Sequence, residues 1–374
     1  MSYLRSFFFL LAATFPITSQ AAAPVWKAKN TRVVVVSLAG FQGEKAGQTS
    51  FSTSDRLDDP LIGRFMKIGV PEDNILYLKD NNATTKTVTE LLPAFLADSK
   101  EDETLIFYYS SHGGYDPVKG GHTFTTFDGS MPIGWFVGKI EKEFKGPRAM
   151  LFSDCCFSGG LVDLVKARPA GRTSIGALST TGSHNLGYSG WRFTDLLIRA
   201  WQGDVAMDAD ESGSVEFLEL CVFAESYMAF VAEGKPLYAV TGNFPPGLVL
   251  AKVDREAKEG IGFRVEAKDG DTWYKAEIVD LETNDDGEPK RLQVHFTDKN
   301  RYDKVMWLAP EKIREFTFTE YEKGAEVEIR DATGKWVPGT VIDSFESMHE
   351  CHYEGKSTAY DEWMSPSRIR KPVE

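Results

Sequence analysis

A thiol becomes a useful nucleophile as a thiolate, and a neighbouring imidazole is the commonest way to make one. The chain offers such a pair. Thr104-Leu-Ile-Phe-Tyr-Tyr-Ser-Ser-His-Gly-Gly114 and Ala149-Met-Leu-Phe-Ser-Asp-Cys-Cys-Phe-Ser-Gly-Gly160 are short apolar runs ending in polar and glycine residues, the first presenting His112 and the second Cys156. Runs of this kind read as buried parallel strands. In open α/β sheets, sites form at the carboxyl ends of strands. Gly113 and Gly114 leave main-chain N–H groups free to turn towards a substrate carbonyl, so the amides of Gly113 and Cys156 are candidates for an oxyanion hole. The competing reading is a buried free cysteine and a histidine satisfied in the core.

The elements that must position this pair follow a regular alternation. Thr31-Arg-Val-Val-Val-Val-Ser-Leu38 is β-branched and predicts the first central strand. Asp59-Pro60 opens a helix with Leu61, Ile62, Phe65 and Met66 on one face, ending at Gly69. Asn74 to Leu78 reads as a strand, and Thr84 caps a helix carrying Val88, Leu91, Leu92 and Phe95. Further on, Ile133 to Phe144 and Thr194 to Trp201 read as helices, Ile175 to Ser179 as a strand, and Val215 to Val231 as a longer helix. Leu237 to Thr241 and Leu248 to Val253 are expected to close the sheet. The pattern predicts an α/β domain over residues 30–253, a mostly parallel central sheet with helices on both faces. Charged Asp254 to Gly260 is the expected boundary.

Composition narrows the function. The chain has 374 residues, enough for two or three domains, and a formal net charge of −13. That charge excludes nucleic acid as a partner, since such binding draws on clustered Lys and Arg, and it suits peptides with basic side chains. Met1-Ser-Tyr-Leu-Arg-Ser leads into Phe7-Phe-Phe-Leu-Leu-Ala-Ala-Thr-Phe15 and Ser19-Gln-Ala21, the layout of a signal peptide over residues 1–21. An exported chain, periplasmic or secreted, is expected, with no membrane association after cleavage because no later segment reaches about twenty apolar residues. Four cysteines make no disulfide framework.

After residue 260 the chain is strand-like and repeats itself. Trp273-Tyr-Lys-Ala-Glu-Ile-Val-Asp280 matches Trp336-Val-Pro-Gly-Thr-Val-Ile-Asp343, Val294-His-Phe296 matches Cys351-His-Tyr353, and Trp307 to Arg314 matches Trp363 to Arg370. A tandem duplication of a small all-β module is expected, over residues 263–316 and 322–372. The aromatics Trp273, Phe296, Trp307, Trp336, Tyr353 and Trp363 are mostly expected in the cores of these modules.

Asp208-Ala-Asp-Glu-Ser-Gly-Ser-Val-Glu-Phe-Leu-Glu219 fits the twelve-residue EF-hand loop, with side-chain oxygens from Asp208, Asp210, Ser212 and Glu219, a main-chain carbonyl from Ser214, and Gly213 at the sharp turn. It makes Ca2+ the candidate cofactor. A solvated acidic turn at a helix N-terminus is the alternative.

Tyr109-Ser-Ser-His-Gly113 resembles the Tyr-Ser-Gly-His-Gly box of caspase-like cysteine peptidases. Asp154-Cys-Cys-Phe-Ser-Gly159 is similar to the Asp-x-Cys-His-Ser-Gly box of metacaspases and their bacterial relatives. Gly69 to Ile75, Asn82-Ala-Thr84 and Arg192-Phe-Thr194 resemble other segments of that family, which carries the likeness from Arg32 to Lys252. The resemblance implies a caspase-like α/β sandwich, with Cys156 as nucleophile and His112 as base. It also implies that Asp154 lines a pocket selecting Arg or Lys, with Asp59 as its partner, and hence protein or peptide substrates with basic residues. Ser111 and Phe157 stand where the family has glycine and histidine. The two C-terminal repeats resemble Tudor-knot or chromo-barrel SH3-like barrels, which implies a protein ligand for them. A catalytically inert caspase-like scaffold that binds proteins through these barrels is the alternative function.

Overall fold

The computed structural model describes residues 24–41, 48–53, 55–118, 120–187, 190–253, 258, 260–298, 302, 304–331 and 333–372. The expected signal peptide, and most of the expected boundary at 254–260, lie outside the described residues.

The first part of the chain runs β1 (Thr31–Ser37), α1 (Asp58–Lys67), β2 (Ile75–Lys79), α2 (Thr85–Ala97), β3 (Thr104–Ser110), β4 (Gly113–Asp116), β5 (Gly121–Thr126), β6 (Gly129–Pro132), α3 (Ile133–Glu143), β7 (Arg148–Asp154), α4 (Gly159–Lys166), β8 (Ser174–Ser179), α5 (Arg192–Gln202), β9 (Ser214–Glu216), α6 (Phe217–Ala232), β10 (Leu237–Val240) and β11 (Val249–Lys252). Six strands form one sheet in the order β10-β8-β7-β3-β1-β2, parallel except for β10 at its edge. Residues alternate across it. Val33, Val35, Ile106, Tyr108, Met150 and Phe152 face α1, α5 and α6, while Val34, Val36, Phe107, Tyr109, Leu151 and Ala177 face α2, α3 and α4. Every residue of β1, β3 and β8 is buried, as a sheet covered on both faces requires. Each large side chain so buried contributes roughly 1.5–3 kcal/mol. Thr84 caps α2, its hydroxyl accepting from the Thr87 amide at 3.1 Å.

Three elements depart from the sequence reading. The long helix begins at Phe217, because Ser214 to Glu216 extend as β9 and Glu216 forms a capping box with Glu219. Strand β11 does not close the central sheet; it pairs antiparallel with β9 in a sheet of its own. Between His112 and α3, a segment with no expected structure folds as the three-stranded meander β4-β5-β6. Its tight turn falls at Phe127-Asp128, just before Gly129.

The remainder forms β12 (Arg264–Asp269), β13 (Thr272–Thr283), β14 (Pro289–Phe296), β15 (Val305–Leu308) and β16 (Ile313–Glu315), then β17 (Glu326–Arg330), β18 (Trp336–Phe345), β19 (Met348–Tyr353), β20 (Glu362–Met364) and β21 (Ile369–Arg370). The two five-stranded antiparallel sheets share one order, β15-β14-β13-β12-β16 and β20-β19-β18-β17-β21. Each has a register shift at the same matched place, Ile278/Asp280 and Val341/Asp343. Phe296 and Tyr353 are core residues. The four tryptophans are not: Trp273, Trp307 and Trp336 lie half-buried beneath Arg314, Arg291 and Arg370, and Trp363 beneath Lys235. A half-exposed indole under a cation gains a cation–π attraction that a core position would not give it.

Both sheets pack on the α/β part. Arg199 forms a buried double hydrogen bond with Glu277 of β13, and the Tyr302 hydroxyl donates to Asp195 at 2.6 Å. Among the described residues no helix is long and apolar enough to cross a membrane.

Candidate active site

The register of the central sheet sets the site. Strands β3 and β7 are parallel neighbours in which Ser110 pairs with Asp154. His112 and Cys156 therefore each stand two residues beyond a paired position, on strands about 4.8 Å apart.

The His112 backbone is fixed by the β4-β5-β6 meander. Its carbonyl accepts from the Thr125 amide at 3.1 Å and from the Tyr109 hydroxyl at 2.6 Å, and the Tyr109 ring stacks on Phe124 at 3.9 Å. The imidazole is sandwiched between Phe51 (ring centroids 4.4 Å) and Phe41 (5.5 Å), with Nε2 at 2.7 Å from the Thr49 carbonyl. A carbonyl can only accept, so Nε2 carries the proton and Nδ1 of the neutral ring is the free base.

Cys155 and Cys156 have opposite surroundings. Cys155 is buried, and desolvation, with the charges of Cys156 and Asp154, pushes its thiol pKa far up. Such a thiol is inert. Cys156 is half-buried; its Sγ donates to the Gly187 carbonyl at 3.3 Å and lies 3.5 Å from the Gly187 amide. Gly113 presses on the same turn: a Cβ there would stand 2.1 Å from the Cys156 carbonyl and 2.7 Å from Cys155 Sγ. Phe157 takes the left-handed region, φ 58°, and its amide donates to the Asn185 carbonyl at 2.7 Å. For a bulky residue that conformation costs of order 1–3 kcal/mol and persists only where neighbours enforce it.

Those neighbours belong to the loop of residues 181–187, which the sequence reading leaves unassigned. Thr181 accepts from the Ser158 amide at 3.3 Å and donates its own amide to the Ser158 hydroxyl at 3.0 Å. Gly159 lies so close that a Cβ would meet the Ser183 nitrogen at 2.4 Å. The only sequence trace of this interlock is the bracketing by Gly182 and Gly187.

Asp154 is buried below the turn, where the Tyr108 hydroxyl reaches it at 3.4 Å and also bonds Thr194 at 2.6 Å. Asp59 is exposed, pairs with Lys79 at the end of β2 at 2.6 Å, and accepts from the Tyr77 hydroxyl at 3.1 Å. Its neighbour Asp58 is the buried one, holding Arg56 at 2.6 Å and the Tyr77 hydroxyl at 2.7 Å, while Arg56 also bridges to Asp80. Burial pushes the Asp58 carboxyl up, but the hydrogen bonds from Arg56 and Tyr77 outweigh it and hold the pKa below the usual range. His112, Gly113, Asp154 and Cys156 thus share the carboxyl edge of β3 and β7, and Asp59 sits at the start of α1.

The acidic loop is built around β9. Carboxylate oxygens of Asp208, Asp210 and Glu219 lie within 4.8 Å of one another. Asp208 and Asp210 both accept from the Ser212 amide, Ser212 Oγ is 3.4 Å from Ser214 Oγ, and Gly213 turns at φ 76°. Burial, with Asp210 alongside, pushes the Glu219 carboxyl up to about 7 against the amides that favour its charge. An all-oxygen donor set of this kind fits a hard divalent cation.

Residues 64–237 match the family model of the caspase domain. Over these residues the chain is similar to the caspase domain. The match spans both the His112 and the Cys156 turns. A crystal structure of a protein from Geobacter sulfurreducens aligns at 16% identity over 60% of this chain and 100% of that one, with a TM-score of 0.44. Caspase-1 from Spodoptera frugiperda aligns at 12% identity over 64% and 97%, with a TM-score of 0.43. No relative was found among curated proteins.

Proposed function

We propose that the protein is an exported cysteine endopeptidase of the metacaspase-like kind that cleaves after Arg or Lys, with Cys156 as nucleophile and His112 as general base. The observation that carries this reading is the accessible Cys156 thiol two residues past a strand end paired with the strand that delivers a tautomer-fixed His112. His112 Nδ1 takes the thiol proton, and the thiolate adds to the scissile carbonyl. The amides of Gly113 and Cys156 hold the resulting oxyanion. The imidazolium then protonates the departing amine, leaving a thioester that water hydrolyses with His112 again as base. Asp154 is the residue this reading gives the selecting role, since a buried carboxylate favours a cationic side chain through a charge-assisted hydrogen bond. Asp59, at the surface with Lys79, has the lesser share.

Calcium at Asp208, Asp210, Ser212, Ser214 and Glu219 belongs to the same reading, and when bound it neutralises the loop's carboxylates. The two C-terminal sheets are read as SH3-like barrels that hold a protein ligand, with their shared strand order in support. Purified protein is to be assayed on Arg and Asp fluorogenic peptides, with and without calcium. Arg cleavage that Cys156→Ala abolishes is expected. Absence of any thiol-dependent cleavage would sink the reading in favour of the inert scaffold.

A further inference from the structure

The second C-terminal module meets the nucleophile turn. Asn185, buried in the 181–187 loop, donates its side-chain amide to the main-chain carbonyl of Trp363 in β20 at 2.5 Å. The backbone carbonyl of the same Asn185 accepts the Phe157 amide at 2.7 Å, directly after Cys156. Two hydrogen bonds therefore connect a strand of the last module to the residue whose left-handed backbone aims the nucleophile.

The Trp363 end of this connection is anchored on both sides. The Trp363 ring and Phe345 both face the Lys235 ammonium, which lies 5.5 and 4.2 Å from their centroids and is itself paired with Glu225. Two residues on, the Ser365 hydroxyl donates to Glu233 at 2.5 Å. The aromatic face of this module thus already holds a cation, one supplied by the α/β part.

We propose that Asn185 is a positioning residue through which the second C-terminal module holds the Cys156 turn in its reactive geometry. The proposal rests on Cys156 being the nucleophile. Its physical basis is the strained Phe157: a left-handed phenylalanine relaxes unless its amide is held. The holder, Asn185, sits in a loop without regular structure, and the Trp363 carbonyl restrains it. A shift of about 1 Å at a reacting atom can cost on the order of a hundredfold in rate.

The test uses the full chain carrying Asn185→Asp, which keeps size and shape but puts a carboxylate against the Trp363 carbonyl. Lys235→Met loosens the same seam without touching the loop. Three quantities are read: alkylation of Cys156 by iodoacetamide as a function of pH, amide exchange in residues 156–160 and 181–187, and kcat and KM on an Arg peptide. The expected result for both variants is faster exchange in both segments, a displaced alkylation profile, and kcat down roughly tenfold with KM little changed. Alkylation and exchange need no turnover, so their change supports the coupling even if no peptide is cleaved by the wild type. Folded variants whose Cys156 profile and loop exchange match the wild type overturn the proposal, as does a loss confined to thermal stability. If Asn185→Asp does not fold, the Lys235→Met result decides alone.

Discussion

The cysteine pair separates two demands that one thiol could not meet together. Cys155 fills the core beneath the turn, where desolvation keeps it protonated, and Cys156 faces the site. Cys155→Ala is accordingly expected to retain activity while losing about 1 kcal/mol of stability from the small cavity left behind, which denaturant titration measures. Gly113 has no such latitude. Any side chain there must displace the Cys156 carbonyl, which shares its peptide plane with the Phe157 amide that Asn185 holds, and so must disturb the nucleophile turn. Gly113→Ala is expected to lower kcat/KM by on the order of a hundredfold or more. Wild-type rates from that variant would contradict the geometry.

At the scale of elements, β3 and β7 are legible because a strand buried on both faces reads as an unbroken apolar run ending abruptly. The 181–187 loop is not, since Thr-Gly-Ser-His-Asn-Leu-Gly has no periodicity and acts only by lying against Gly159. The meander after His112 left only a displaced signal, since Asp128-Gly129 suggests a turn one residue beyond the Phe127-Asp128 turn that forms. The acids Asp58 and Asp59 illustrate another limit: the Tyr77 hydroxyl reaches both, and what differs is the cation each meets, buried Arg56 for Asp58 and the more exposed Lys79 for Asp59. Likewise Val215 fits an apolar helix face as well as a short strand. The acidic loop gives this scale its prediction. Glu219 has its folded pKa raised from 4.5 to about 7, so the folded chain binds more protons in that window and, without metal, stability falls as pH rises through it. Calcium needs the carboxylate, so the rise in Tm on adding calcium is expected to grow between pH 6 and 8, roughly across that pKa, and to vanish in Glu219→Gln. A calcium response independent of pH would argue against this loop as the site.

For the whole molecule, the duplicated sheets are fastened to the α/β part by buried polar contacts rather than joined by a loose tether. Arg199 stacks near Tyr227 and holds both Asp204 and Glu277. Glu277→Ala leaves a buried guanidinium short of one partner and is expected to cost about 3 kcal/mol. Chemical unfolding followed by tryptophan fluorescence reads this loss; an unchanged midpoint would show that the seam bears no load. The repeat itself is plain in the sequence, whereas the fate of its tryptophans is not, because aromatic type alone does not tell a core position from a surface one covered by a cation.

The central claim is that Cys156 is a nucleophile activated by His112 in a site that prefers basic residues. The most direct measurement is covalent trapping with an arginyl acyloxymethyl ketone, read by intact mass and peptide mapping, with an aspartyl analogue as control. The account predicts one equivalent of the arginyl probe on Cys156, none on Cys155, and loss of labelling in His112→Ala. Labelling of Cys155, equal labelling by the aspartyl probe, or an unreactive Cys156 would contradict it.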